Sequence, residues 1–205
     1  MNVVDTITQV KKFLETEVCC NLTYLKPSKL DGKDYNFQYV NPVVWPMYLP
    51  TDDRTGGEIS SPSVVVKFQK TSEELEKLQT NIIIQLEFSI WRPGSYIEET
   101  KPEQQGITVT SSGASVEYRE NVIKKFQRDA SGWKDLWGFI DYTKSVILEK
   151  GLIGNYQLDL NQKIESGPFT QDGAIVDFHP YYFGWLTFGL KSLSTPISKD
   201  IDEFL

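Results

Sequence analysis

Residues 82–91 read Ile-Ile-Ile-Gln-Leu-Glu-Phe-Ser-Ile-Trp, and large apolar residues alternate with polar ones along most of this stretch. In an extended chain the side chains of Leu86 and Phe88 fall on one face, and those of Gln85 and Glu87 fall on the other. This alternation predicts a β-strand that buries one face. The rest of the fold is expected to form around it.

Other stretches carry a similar pattern and predict further strands of the same sheet. Residues 63–68 alternate in the same way, so we expect an antiparallel neighbour of the strand at 82–91. The aromatic stretch 181–190 predicts a third long strand. Shorter strands are predicted at 156–160 and 174–178, with turn-forming glycines and prolines between them.

Two helices are predicted from apolar residues at helical spacing. An N-terminal helix of about four turns carries one apolar stripe, formed by Val3, Ile7, Val10, Leu14 and Val18. A second helix is expected to begin at a cap supplied by Asp129 or Ser131 and to end at Gly151. The predicted fold class is therefore α/β (α+β), with a mixed, largely antiparallel sheet flanked by an N-terminal helix and a second long helix.

Composition and charge limit the classes of function. The chain has 205 residues, of which 40% are hydrophobic, and this is enough to bury a core. We expect one domain over residues 1–190 and a tail over 191–205. The net charge of −7 argues against a protein that binds nucleic acid by neutralising phosphates. Neither a secretion signal nor a membrane-spanning run is expected, so the prediction is a soluble protein made in the cytoplasm.

The span 92–115 is rich in Gly, Pro, Ser, Thr, Glu and Gln and poor in large apolar residues. Such a composition buries too little surface to offset the entropy of ordering. We therefore expect a long mobile loop here, and loops of this length in compact domains are commonly functional.

Residues that could carry chemistry are few. His179 is the only histidine, which makes a metal cluster or a Ser-His-Asp triad hard to build. The best catalytic alternative pairs the carboxylates of Glu87 and Asp177, with aromatic residues nearby that could stack on sugar rings. The prediction is that the protein is not an enzyme and has no catalytic residue, metal site or cofactor.

The aromatic residues of 181–188 exceed what one buried face can use. Alternation sends Tyr181, Phe183 and Trp185 to one face of the strand and Tyr182 to the other. Either both faces are covered within the subunit, or one face meets another subunit. The predicted interface residues are Trp91, Arg92, Tyr181, Phe183 and Trp185.

The order of these elements resembles that of tail terminator proteins of tailed phages. The resemblance covers roughly residues 1–190 and rests on the element layout together with several short blocks. These blocks are Pro-Ser-Val-Val-Val at 62–66, Leu-Glu-Phe-Ser-Ile-Trp-Arg-Pro-Gly at 86–94, Gly-Trp-Lys-Asp-Leu-Trp at 132–137 and Gly-Leu-Ile-Gly at 151–154. The span 92–115 and the C-terminal tail depart from the family's compact members.

The resemblance implies a hexameric ring that caps the tail tube, stops tube polymerisation and offers a docking surface to the head or neck. Its partners would be further copies of itself, the tail tube protein, and sheath and head-completion or connector proteins, and it would need no cofactor. DNA would pass through the lumen without specific binding, and the protein would reside in the virion tail or neck after assembly in the host cytoplasm. Three alternatives stay open: another virion ring or baseplate component, a carbohydrate-binding adhesin module, and a hydrolase that uses paired carboxylates.

Overall fold

The computed structural model of the chain describes residues 3–27, 38–48, 60–74, 79–110, 113–127, 129, 131–175 and 178–193, with the backbone alone over 96–127. The helices are α1 (Val3–Phe13) and α2 (Gly132–Lys150). The strands are β1 (Tyr24–Leu25), β2 (Tyr39–Val40), β3 (Val43–Pro46), β4 (Ser63–Glu74), β5 (Gln79–Trp91), β6 (Ser95–Thr110), β7 (Gly113–Gln127), β8 (Leu152–Ile153), β9 (Tyr156–Leu158), β10 (Glu165–Pro168), β11 (Thr170–Gln171), β12 (Ala174–Ile175) and β13 (Tyr181–Leu193).

A seven-stranded sheet forms the centre of the fold, in the order β3-β4-β5-β13-β9-β8, with β10 also paired to β13. The strand predicted at 82–91 is the middle of β5, and it pairs antiparallel with both β4 and β13. Strands β3 and β4 run parallel. The predicted fold class is confirmed, because the sheet is mixed, largely antiparallel and accompanied by an N-terminal helix and a later long helix.

Both helices pack on the same face of this sheet. The predicted N-terminal helix is confirmed, and α1 continues through a π-helical turn (Leu14–Val18) into a 3₁₀ turn (Cys19–Asn21). Phe139 of α2 lies edge-on to Phe88 of β5, with ring centroids 4.8 Å apart. The shared core contains Ile7, Val10, Leu14, Val18, Val64, Val66, Ile82, Ile84, Leu86, Phe88, Ile90, Leu136, Phe139, Ile140, Ile147, Leu186, Phe188 and Leu190.

The ends of α2 match the sequence prediction in part. Gly151 ends the helix in the left-handed conformation (φ 63°), and its N–H donates to the carbonyl of Ile147. Ser131 occupies the cap position at the other end but makes no side-chain capping hydrogen bond there. Instead, its backbone N–H donates to Asp129 at 2.9 Å. The carboxylate of Asp129 therefore organises the turn that leads into the helix.

The packing of α2 on β13 depends on the absence of a side chain at Gly184. A Cβ atom at this position would lie 2.9 Å from Ile140 Cδ1 and 3.3 Å from Leu136 Cδ2. Both distances are shorter than ordinary van der Waals contact. The glycine within the aromatic strand thus brings the helix close to the sheet.

The expectation of a loop at 92–115 is wrong, because β6 and β7 form a long antiparallel hairpin. The register runs from Ser95 opposite Gln127 to Thr110 opposite Gly113, with one irregularity between Gln104 and Gly106. At the usual rise per residue this ribbon is about 50 Å long. A two-stranded ribbon satisfies backbone hydrogen bonds across the pair without burying a large apolar face, and composition alone did not reveal it.

Three smaller predictions also differ from the structure. The turn expected around residues 166–168 is strand β10, whose Gly167 stands opposite Trp185 of β13. Of the strand expected at 174–178, Ala174–Ile175 pairs with β11 in a separate two-stranded sheet and Phe178 forms a single bridge with Tyr181, while residues 176–177 lie outside the described residues. Strand β13 also runs to Leu193, so Lys191 and its two successors belong to the sheet rather than to the tail.

Candidate functional site

A groove of about 610 Å³ lies on the face of the sheet opposite the two helices. Its floor is a row across three strands, in which Phe183 of β13 stands opposite Ser89 of β5 and Ser89 stands opposite Ser63 of β4. The chain between β10 and β13 supplies the remaining wall. The lining is chiefly apolar and consists of Ser63, Val65, Glu87, Phe88, Ser89, Phe169, Thr170, Gln171, Phe178, Tyr181 and Phe183.

Phe183 is the centre of an aromatic cluster in this groove. Its ring centroid lies 5.4 Å from that of Phe178 and 6.4 Å from that of Phe169, and both rings meet it edge-on. Tyr181 lies 6.3 Å away in a nearly parallel orientation. Phe178 is 48% exposed although it belongs to this cluster. The groove therefore presents apolar surface to solvent within the described part of the chain.

Ser89 is the unusual polar group of the groove. It is 3% exposed, and its hydroxyl has no hydrogen-bond partner among the described residues. The neighbouring hydroxyl of Ser63 differs, because it donates to the carbonyl of Ser60 at 2.7 Å. A buried hydroxyl without a partner costs free energy, and a ligand group that bonds to it would recover that cost.

Glu87 is held in an ion pair at the edge of the groove. Its carboxylate lies 2.5 Å from Lys67 Nζ and accepts a hydrogen bond of 3.1 Å from Gln85 Nε2. The carboxylate is therefore engaged within the sheet. Its proposed catalytic partner, Asp177, lies outside the described residues.

The structure brings together only some of the predicted interface residues. Tyr181 and Phe183 both line the groove. Trp185 lies on the same strand face but packs over Gly167 and is half-buried. Trp91, opposite Tyr181 in the register, is 2% exposed. Its ring is therefore buried within the subunit and is not presented to a neighbouring copy.

Arg92 contacts α2 rather than the groove. Its Nη1 lies 3.5 Å from the Asp135 carboxylate, and its backbone N–H donates to the carbonyl of Pro180. Burial raises the pKa of Asp135, and the nearby guanidinium partly offsets this effect. Arg92 thus links the end of β5 to the second helix, and this contact is internal to the subunit.

The other polar and ionisable groups of the described residues do not form a second candidate site. His179 lies with its ring 6.4 Å from that of Tyr182. Over the ranges that the structure describes, no cluster of His, Cys, Asp and Glu side chains is arranged to hold a metal ion. Within the same ranges, no helix is both long and apolar enough to cross a membrane.

The wall of the groove was not predicted from the sequence. Phe169 and Phe178 were predicted neither as interface nor as binding residues, and Ser89 was interpreted only as part of a polar strand face. The available signal was that Phe169 and Phe178 both lie within the 15 residues before Phe183 of the aromatic strand.

Comparisons of the chain with protein-family models, curated proteins and solved structures found no match.

Proposed function

We propose that the protein is a structural subunit of a tailed-phage virion, which assembles as a ring on the end of the tail tube. In this role it stops tube polymerisation and provides the surface on which the head or neck docks. The proposal draws on the resemblance of the sequence blocks and element order to tail terminator proteins. The observation that carries it is the hairpin formed by β6 and β7.

This hairpin is difficult to explain as part of an isolated subunit. It is about 50 Å long at the usual strand rise, and among the described strands its two arms pair only with each other. Two-stranded ribbons are marginally stable on their own in water. A ribbon of this length gains stability when it lies against a neighbouring subunit or against the tube, as assembly of a ring on a tube requires.

The charge of the chain is compatible with the same role. DNA carries about one negative charge per 1.7 Å of helix axis, so a channel that conducts DNA benefits from a wall that does not bind it. The net charge of −7 supplies such repulsion. Identical subunits joined by heterologous contacts close into a ring when their rotation divides a full turn.

The first test removes most of the hairpin. We replace residues 97–125 with Gly-Asn-Gly, which leaves both ends of the ribbon in place beside the central sheet. We expect the variant to fold with a single cooperative unfolding transition, since neither strand pairs with the central sheet. The variant should fail to limit the length of tubes polymerised in vitro from purified tail tube protein, as measured by negative-stain electron microscopy.

A matched control keeps the hairpin and shortens it only at its tip, by replacing residues 109–114 with Asn-Gly, which supplies a two-residue turn between the register partners Thr108 and Ser115. If contact along the ribbon matters, this variant should retain most of the capping activity. Normal tube length with the long deletion would refute the hairpin's role. Failure of the full-length protein to limit tube length or to form a ring would refute the proposed function itself.

Particles assembled without the protein distinguish the alternatives. Overlong or headless tails support a terminator, whereas loss of adsorption by otherwise intact particles supports an adhesin. Intact particles that have lost glycan cleavage support a hydrolase. The adhesin alternative draws on the aromatic groove, but sugar recognition needs several convergent polar groups, and the described lining is chiefly apolar.

A further inference from the structure

We propose that the groove of one subunit binds residues 194–205 of a neighbouring copy. This inference builds on the proposed ring, because it names the contact that joins adjacent subunits. The groove is the candidate receptor, since it combines an exposed aromatic cluster with a buried hydroxyl that has no described partner. The segment 194–205 lies outside the described residues, so its sequence and its point of attachment at Leu193 carry the inference.

The groove selects an apolar, extended ligand. Phe178 and Phe183 offer ring faces and edges to aliphatic or aromatic side chains. The hydroxyl of Ser89 can donate to a backbone carbonyl or accept from a backbone N–H, and an extended peptide supplies both groups at regular intervals. A volume of about 610 Å³ accommodates a few side chains rather than a whole domain face.

The segment 194–205 has the matching composition. It reads Ser-Thr-Pro-Ile-Ser-Lys-Asp-Ile-Asp-Glu-Phe-Leu, so four large apolar residues are distributed among polar and acidic ones. Pro196 favours extended backbone at the residue before it. The apolar residues that would enter a groove are Ile197, Ile201, Phe204 and Leu205.

The attachment point favours binding of the segment to another copy. Strand β13 ends at Leu193, ten residues beyond Phe183 and therefore about 33 Å from it along the strand. Ile197 lies four residues farther along the chain, so it can return at most about 14 Å, and Ile201 at most about 29 Å. Ile197 therefore cannot reach the groove of its own subunit, and Ile201 can reach only its nearest edge at Glu87, which lies level with Trp185. Phe204 lies eleven residues beyond Leu193 and can return about 40 Å, but only in a nearly straight chain. All four apolar residues can enter the groove of a neighbour.

Such a contact is heterologous, because one surface of each copy meets a different surface of the next. Repeated contacts of this kind produce a closed ring or an open filament. The exchange of one segment between neighbours also leaves each folded core unchanged. The proposed contact therefore predicts a stoichiometry of one bound segment for each groove.

The binding test uses the full-length chain with Ile201→Asp and Phe204→Asp, a tail variant whose own segment no longer fits the groove. A fluorescent peptide of residues 194–205 is titrated into it and followed by anisotropy. We expect saturable one-to-one binding, and no binding of a peptide that carries the same two substitutions. Absence of binding by the native peptide would overturn the inference.

Substitutions in the groove locate the peptide. Phe178→Asp, added to the tail variant, should weaken binding by about tenfold or more, because it introduces a charge into an apolar contact. Phe178 is 48% exposed, so the variant should fold. Trp133→Asp is the matched control, since Trp133 is 51% exposed and does not line the groove. Equal weakening by both substitutions would place the peptide elsewhere and overturn the proposal.

Ser89→Ala gives a milder test in the same background. Loss of one neutral hydrogen bond corresponds to roughly two- to tenfold weaker binding. The stability of the free subunit should not fall, because the hydroxyl has no described partner to lose. Unchanged affinity for the peptide would exclude the hydroxyl from the contact and would contradict this part of the proposal.

A mixing experiment separates exchange between copies from binding within one copy. The tail variant has an intact groove, and the full-length Phe178→Asp variant has an intact tail. Each should be monomeric alone by mass photometry, and an equimolar mixture should form heterodimers, because only one productive contact is available. A mixture that stays monomeric, or a tail variant that still assembles through its groove, would overturn the proposal.

These experiments and the tube-length assay can fail independently. Peptide binding and heterodimer formation without tube capping would leave the subunit contact standing and remove the terminator function. Tube capping by both the tail variant and the Phe178→Asp variant would leave the function standing and overturn the contact. Specific glycan binding that Phe178→Asp abolishes, without peptide binding, would assign the groove to a carbohydrate instead.

Discussion

The ring of Trp185 lies across Gly167 on the adjacent strand. The two residues are register partners of β13 and β10, and a Cβ atom at Gly167 would lie 2.9 Å from Trp185 Cζ2 and 3.1 Å from Cε2. The indole thus packs directly on the backbone of Gly167, and the side chain of any larger residue at this position would push it away. This contact holds the short strand β10 on the central sheet, beside the wall of the groove.

Replacement of Gly167 by alanine should displace the indole. We expect Gly167→Ala to lower the free energy of unfolding by about 1–3 kcal/mol, the usual cost of forcing extra atoms into a packed site. Urea denaturation measures the loss, and Trp→Phe substitutions at the other four tryptophans isolate the emission of Trp185. Unchanged stability together with unchanged emission would mean that the indole does not pack on this glycine.

Gly138 provides the opposite prediction and serves as the control. This glycine is on the exposed face of α2, and a Cβ atom there would meet no heavy atom within 4 Å. Alanine is favoured over glycine in a helix interior by about 0.5–1 kcal/mol. Gly138→Ala should therefore raise the free energy of unfolding by about that amount in the same urea titration. A loss of stability would show that space at this position is restricted.

The regular elements were predictable because they bury one face. Alternation in residues 82–91 and the apolar stripe through Val10 and Leu14 arise from a single requirement, that one side of each element meets the core. These elements carry most of the described core. The helix end at Gly151 was predictable as well, since a left-handed residue without a Cβ atom has low strain there.

The hairpin and the groove were not predictable for a different reason. The register of β6 and β7 is set by hydrogen bonds between distant backbone groups, such as Ser95 opposite Gln127, and sequence periodicity carries little of that information. The groove depends on the approach of Phe169 and Phe178 to Phe183 across a turn-rich segment. Local patterns do not encode such an approach.

The adjacent cysteines should differ sharply in reactivity. Cys19 is 3% exposed, and burial, helped by the nearby Cys20 and Glu15, raises the pKa of its thiol to about 12. Cys20 is exposed. A disulfide exchange reagent such as Ellman's reagent should release one equivalent of chromophore from the native protein and two in guanidinium chloride. Cys20→Ser is the control, and rapid reaction of its remaining thiol under native conditions would contradict the burial of Cys19.

The carboxylate of Asp129 should make the free energy of unfolding depend on pH between about 4 and 2. Hydrogen bonds from the Ser131 hydroxyl, the Ser95 hydroxyl and the Ser131 backbone N–H lower its pKa to about 2. A lowered pKa in the folded state means that the stabilisation is complete above the unfolded value of about 3.9 and is lost as pH falls from there through the folded value.

Ser131→Ala removes the hydrogen bond that lowers the pKa of Asp129 most and should raise this pKa toward its unfolded value. The variant should be less stable than the native chain at neutral pH, and this difference should shrink as the pH is lowered from about 4 toward 2. Urea unfolding as a function of pH measures the difference, and carboxyl ¹³C chemical shifts follow the pKa directly. Ser145→Ala is the control, because its hydroxyl donates to the backbone carbonyl of Asp141 rather than to a carboxylate. A stability difference for Ser131→Ala that stays constant across this pH range would show that Ser131 acts independently of the charge on Asp129.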